Sequence, residues 1–223
     1  MLIVHHLDNS RSQRILWLLE ELGVPYEIKQ YQRDARTSLA PEQLRSIHPL
    51  GKAPVLTDNG RTIAESGAII EYVVSVHGQG RLIPAAGSDN HLRYTYWMHY
   101  AEGSLMPLLL LKLVFSRISR PPMPLFLRPL ARAIDRGVCA RWIDPQLALH
   151  MDFLEAELTR SEWFAGDEFT AADIQMSFPL EAAQKRSAMR AGHHRLQRWL
   201  ETIRARPAYR RAVQRGGPYS QLD

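Results

Sequence analysis

The sequence predicts an α/β domain followed by an all-helical one, and three observations carry that prediction. Residues 1–80 alternate short strand-like and helix-like runs. Gly78-Gln79-Gly80 and Ile83-Pro84-Ala85-Ala86-Gly87 then break the pattern, as glycine and proline clusters do between domains. Beyond them every periodic stretch is helical or looped. The expected division is a first domain over 1–80, a linker over 81–88 and a helical domain over 89–223.

The first domain reads in the order βαβ, α, hairpin, α. Leu2-Ile3-Val4-His5-His6-Leu7 has the continuous apolar character of a buried strand. Ile15 to Leu22 reads as a helix, with Gly23 near its end. Pro25 to Tyr31 alternates as a strand does. A short helix is expected after Pro41. Val55-Leu56-Thr57-Asp58 and Arg61-Thr62-Ile63-Ala64 flank Asn59-Gly60, a strong hairpin signal. A last helix runs from Ser66 to about Val76.

In the second domain helices are expected at about 90–118, 125–140, 145–160, 171–187 and 193–206. Asp144-Pro145 reads as an N-cap followed by proline at the first helical position. Arg120-Pro121-Pro122-Met123-Pro124 is expected to be an irregular loop. Thr170-Ala171-Ala172-Asp173 has capping-box spacing, with Phe169 and Ile174 at the staple positions. Asp173 is therefore expected to hold a helix start and take no part in chemistry.

Composition narrows the function. The chain has 223 residues, 45% of them hydrophobic, and one cysteine. A lone cysteine excludes an internal disulfide framework, a CxxC redox pair and a cysteine-rich zinc site. The longest apolar stretch, Leu105 to Val114, is interrupted by Pro107 and Lys112 and is too short to span a bilayer. The opening residues have neither a basic segment nor a small-residue cleavage site. A soluble cytoplasmic protein with no membrane partner is the expectation. The net charge of +5 is uneven: residues 1–80 carry 8 Lys/Arg against 9 Asp/Glu, and residues 81–223 carry 20 against 14. Lys185–Arg215 holds ten basic residues opposed only by Glu201. Without a nucleic-acid motif, this stretch reads as a solvated helix face and not as a nucleic-acid surface.

Three segments could carry chemistry. GxGxxG, Walker, GxSxG and HExxH patterns are all missing. His5-His6 and His193-His194 are adjacent pairs whose side chains diverge, so no metal site is expected. In Asn9-Ser10-Arg11-Ser12-Gln13-Arg14, Ser10 either caps the following helix or donates to an anion at its N-terminus, with Ser12 as a second hydroxyl. In His48-Pro49-Leu50-Gly51-Lys52-Ala53-Pro54-Val55, Lys52 stands beside a proline that opens a strand. In Ala64-Glu65-Ser66-Gly67, Ser66 is a natural N-cap whose hydroxyl suits a carboxylate. Glu65 could hold an ammonium, or be a plain surface residue.

Together these segments resemble the cytosolic glutathione transferases, nearest a bacterial and fungal, theta-like serine-type branch. The resemblance extends through the Gly166-Asp-Glu-Phe-Thr-Ala-Ala-Asp box and Arg206-Pro-Ala-Tyr, and so covers nearly the whole chain. It implies a thioredoxin-like domain of βαβαββα order before an all-helical domain, usually in a homodimer. It also implies glutathione as co-substrate and conjugation to a hydrophobic electrophile. Ser10 then looks like the hydroxyl that supports the thiolate, with Ser12 as the fallback. Ala53, before a cis Pro54, looks like the backbone partner of the cysteinyl residue. Lys52 looks placed for the glycyl carboxylate, and Glu65 and Ser66 for the γ-glutamyl group. Glu102 looks able to reach the partner subunit's γ-glutamyl ammonium. The electrophile would lie between domains, against residues from about His99 to Phe115 and the proline-rich loop. The same site could serve peroxide or disulfide reduction, and a non-catalytic interaction module is the third class. Cys139 is expected to be a partly buried bystander.

Overall fold

The computed structural model describes residues 1–217, so the last six residues assigned to the helical domain lie outside the described residues. Strand β1 (Leu2–Leu7) is followed by helix α1 (Ser12–Leu22) and strand β2 (Tyr26–Tyr31). A hairpin of β3 (Val55–Asp58) and β4 (Arg61–Ala64) leads into α2 (Ser66–His77). The sheet runs β2-β1-β3-β4, with β1 parallel to β2 and antiparallel to β3. Asn59 and Gly60 both take positive φ (46° and 85°), as a two-residue hairpin turn requires. The short helix expected after Pro41 is a five-residue 3₁₀ helix, Glu42–Ser46.

The helical region comprises α3 (Asp89–Tyr100), α4 (Met106–Arg117), α5 (Arg128–Val138), α6 (Asp144–Arg160), α7 (Ala171–Lys185), α8 (His194–Ala205) and α9 (Pro207–Gly216). The stretch expected at 90–118 is interrupted by a widened turn over Ala101–Leu105, just ahead of Pro107. Proline lacks the N–H that a tight turn would use. A second widened turn, Cys139–Ile143, joins α5 to α6 without a break. Asp144 is therefore not the N-cap expected. It has helical φ and ψ (−68°, −38°), and its carboxylate pairs with Lys112 at 2.9 Å. Helix α9 is an addition to the sequence reading. The segment 118–124 is irregular, as expected, with a cis bond between Pro121 and Pro122.

Helix α1 is the structural centre. Every residue from Ser12 to Leu19 is buried, because β1 and α2 cover one side and α7 and α9 cover the other. One continuous apolar core consequently runs from Val4 and Leu56 of the sheet through Leu16 and Leu18 to Ile174 and Ala212. The acidic end of α1 is docked by the basic C-terminal stretch. Arg206 pairs with Glu21 at 2.6 Å, and Arg211 and Arg215 pair with Glu20 at 2.7 and 2.9 Å. Burial opposes the Glu20 charge, yet Arg211, Arg215 and Tyr26 hold its carboxyl below the usual range. These arginines are thus an interface with α1, which corrects their reading as a solvated face.

The Thr170–Asp173 capping box forms as its spacing indicates. Asp173 is fully buried and accepts from the Thr170 N–H at 2.9 Å, the Thr170 hydroxyl at 3.1 Å and the Phe164 N–H at 3.0 Å. Burial pushes its carboxyl up to about 6 against the pull of these donors. Removing it strands three buried donors. Asp173→Ala is therefore expected to lower unfolding free energy by about 2–4 kcal/mol, measured by urea denaturation.

Candidate functional site

The chemistry-bearing segments meet at the edge of the sheet. A cleft of about 280 Å³ is walled on one side by Lys52, Ala53 and Pro54, which lead into β3. Glu65 and Ser66, at the start of α2, also line it, as do Arg11 and Glu102. The Ala53–Pro54 bond is cis. A larger hollow of about 420 Å³ lies between α6 and α8, lined by Arg160, Arg195, Arg198 and Glu162 among others. It gathers surface charges, among them Arg195 and Arg198 of the basic stretch, and none of the candidate site residues named in the sequence, so the smaller cleft is the candidate site.

Each wall has a local cause. Glu65, not Ser66, occupies the position before α2, with φ 71° and ψ 130°. A non-glycine residue in that region costs about 1–3 kcal/mol, a strain that tends to mark functional positions. Ser66 accordingly begins the helix proper, which corrects its reading as an N-cap. Ser66 is buried and lines the cleft, and the first-turn N–H groups of α2 have no intrahelical acceptor. Lys52 and Glu65 are exposed, so both charges are available to a ligand.

Ser10 and Ser12 stand beside the cleft without lining it; Arg11, between them, is the residue that does. Ser10 does not close a capping box with Gln13. Helix α1 starts at Ser12 without a side-chain cap, and the Ser10 oxygen accepts the Ser12 N–H at 3.2 Å. Ser12 is fully buried, with its Oγ 2.6 Å from Ser10 Oγ and 2.8 Å from His6 Nδ1. The adjacent histidines diverge as expected: His5 meets Tyr31 and Thr57, while His6 meets Ser12 and the Gly216 carbonyl.

Glu102 lines the cleft of its own chain, where the sequence reading directed it toward a partner subunit. It accepts from Arg11 Nε at 2.9 Å and from Arg14 Nη2 at 2.5 Å. Arg14 is 0% exposed, and its Nη1 donates to the Gln175 carbonyl. Both guanidinium groups lie over the Phe178 ring, 5.1 and 5.3 Å from its centre. Burial disfavours the Glu102 charge, but Arg14 and Arg11 hold its carboxyl below the usual range. Sequence reasoning passed over Arg11. The available signal was its place in the strand-to-helix turn that carries both serines. Cys139 lies away from the cleft, in the turn between α5 and α6, and its thiol donates to Asp135 at 3.3 Å. Partial burial and Asp135 push it up to about 11.

A four-stranded mixed sheet of this order, with a cis proline leading into β3 and a helical domain packed on α1, defines a thioredoxin-like fold carrying an α-helical extension. Residues 1–75 match the glutathione S-transferase N-terminal domain and residues 142–207 the C-terminal domain. Glutathione S-transferase 3 of Schizosaccharomyces pombe is 39% identical over 96% of this chain and 88% of its own. Glutathione S-transferase 1 of Saccharomyces cerevisiae is 34% identical over 92% and 91%. The crystal structure of a glutathione S-transferase from Actinobacillus pleuropneumoniae aligns with a TM-score of 0.82 at 33% identity, covering 100% of this chain and 95% of that one. The chain belongs to the glutathione S-transferase family and is an enzyme of that family.

The Arg14–Glu102 pair generates a prediction. Glu102→Gln removes the carboxylate paired with a buried guanidinium, and because Glu102 is itself about one-third exposed, the expected loss is about 2–3 kcal/mol. Arg11→Ala, at a position of similar exposure, is expected to cost less than about 1 kcal/mol. Thermal and urea unfolding of the two variants compare them directly.

Proposed function

We propose that the cleft binds glutathione, with residues 1–80 holding the tripeptide and the helical region choosing an electrophile to which its sulfur is conjugated. The observation that carries this reading is that Lys52, Glu65 and Ser66, the last two at the start of α2, line one cleft. A ligand with a carboxylate and an ammonium at one end and a second carboxylate at the other matches that charge pattern. The Ser66 hydroxyl and helix N–H groups receive the γ-glutamyl carboxylate, Glu65 its ammonium and Lys52 the glycyl carboxylate. Ala53 offers its backbone to the cysteinyl residue between them. Ser10 supports the thiolate; Ser12, fully enclosed, does not reach it. Apolar side chains left exposed on α3 and α6, such as Leu92 and Leu149, support a homodimer.

Magnitudes set the division of labour. A charge-assisted hydrogen bond contributes roughly 1.5–3 kcal/mol, or about one to two pKa units. From ~8.5, a two-unit drop raises the thiolate fraction at pH 7 from about 3% to about three quarters. Lower basicity reduces nucleophilicity about eightfold at a slope of ~0.45. The net gain is a few-fold, so most acceleration must come from holding the electrophile beside the sulfur.

Calorimetry with glutathione tests the binding reading. Lys52→Ala and Ser66→Ala are each expected to weaken the Kd about 5- to 30-fold, on the scale of ~1–2 kcal/mol per interaction. No binding to the unsubstituted protein would refute the assignment. Ser10→Ala is expected to slow conjugation by only a few-fold at pH 7, on the arithmetic above, while glutathione affinity is largely kept. Turnover of a chlorinated nitrobenzene, measured beside cumene hydroperoxide and a small disulfide, separates conjugation from reduction. Dominant peroxide or disulfide turnover would replace the conjugation reading.

A further inference from the structure

A hydrogen-bonded chain runs from the end of α9 to Ser10, and its direction is fixed from the far end. The Gly216 carbonyl can only accept, so His6 Nε2, 2.8 Å away, carries the proton. His6 is 2% exposed, and burial lowers its pKa against the opposing pull of Gly216 and Asp8, so the ring is neutral. Its Nδ1 is therefore an acceptor, and Ser12 Oγ donates to it at 2.8 Å. The other acceptor near Ser12, the Leu7 carbonyl, is 3.4 Å away and too long to compete. With the single Ser12 proton committed, the 2.6 Å contact between the serines must have Ser10 as donor. The Ser10 oxygen also accepts the Ser12 N–H.

This direction has a chemical consequence. At rest Ser10 keeps a lone pair free, and its proton points into the protein. A thiol could donate to that lone pair, but a thiolate needs the Ser10 proton to turn outward. Turning exchanges a neutral hydrogen bond for a charge-assisted one about twice as strong. Ser10 still favours the thiolate, but by less than an untethered hydroxyl would. We propose that Ser12 competes with the bound sulfur for the Ser10 proton, and that His6 and Ser12 are positioning residues limiting how far Ser10 stabilises the thiolate. The proposal rests on the reading of Ser10 given above. The only bond that breaks is S–H, and its proton leaves to solvent.

The test is an ultraviolet titration of the thiolate of glutathione bound to the full-length protein. Ser12→Ala is expected to lower the bound thiol's pKa by about half to one unit, the equivalent of one neutral hydrogen bond. His6→Phe is expected to act in the same direction, because Ser12 can then turn its proton to Ser10. Ser10→Ala should raise the pKa, and adding Ser12→Ala to it should produce no fall. The charged groups around the turn, Asp8, Arg11, Arg33, Glu102 and Lys52, are untouched by these changes. A merely structural role would alter stability or Kd without lowering the pKa. An unchanged or raised pKa in Ser12→Ala and His6→Phe, with Ser10→Ala still raising it, overturns the proposal and leaves the Ser10 reading intact. No effect of Ser10→Ala overturns both. Independently of any variant, nitrogen-15 NMR of the unsubstituted protein should find the His6 proton on Nε2. A proton on Nδ1 overturns the proposal.

Discussion

The buried guanidinium of Arg14 is the constraint on which the rest of the molecule depends. A charge at 0% exposure on α1 requires partners, and the first domain supplies neither of the two that are seen. They come from the helical region, as the Glu102 carboxylate and the Gln175 carbonyl. An isolated buried cation would cost many kcal/mol, so α1 cannot be packed as it is without the second domain. The same contact sets Glu102 at the cleft and, through it, orients Arg11. Domain docking and cleft geometry are therefore one event, and the apolar core shared across α1 reflects that.

Helix α9 closes the other flank of α1 by a different means. Arg206, Arg211 and Arg215 meet Glu20 and Glu21, and the α9 backbone ends against His6. Gly216 makes that approach possible. A Cβ there would stand 2.3 Å from Gln13 Oε1 and 2.5 Å from Leu16 Cδ1, well inside contact distance. Three arginines of a basic stretch that looks like solubilising surface in a charge count form a clasp. Its acidic partners lie about 190 positions earlier, too far for any local pattern to connect.

What the sequence disclosed follows the range of the forces involved. Asn59-Gly60 and Thr170–Asp173 were legible because turn and box are each closed by neighbouring residues. Lys52, Glu65 and Ser66 could be gathered into one cleft only through family resemblance, since their meeting depends on strand order. Cap assignments at Ser10, Ser66 and Asp144 did not survive because capping spacing is permissive. The left-handed backbone at Glu65 moves the start of α2 by one residue, and the widened turn before Asp144 lets the helix continue. Arg11 was hidden for a related reason. Its contribution depends on Glu102 and Phe178, both in the other domain.

Cys139 gives the molecule a form of chemical self-protection. On the function proposed above, the protein would work among electrophiles that attack any thiolate within reach. With its thiol held near 11, only about one Cys139 side chain in ten thousand is ionised at pH 7. The chain's own sulfur is thereby a poor target for alkylation and a poor partner for mixed-disulfide formation.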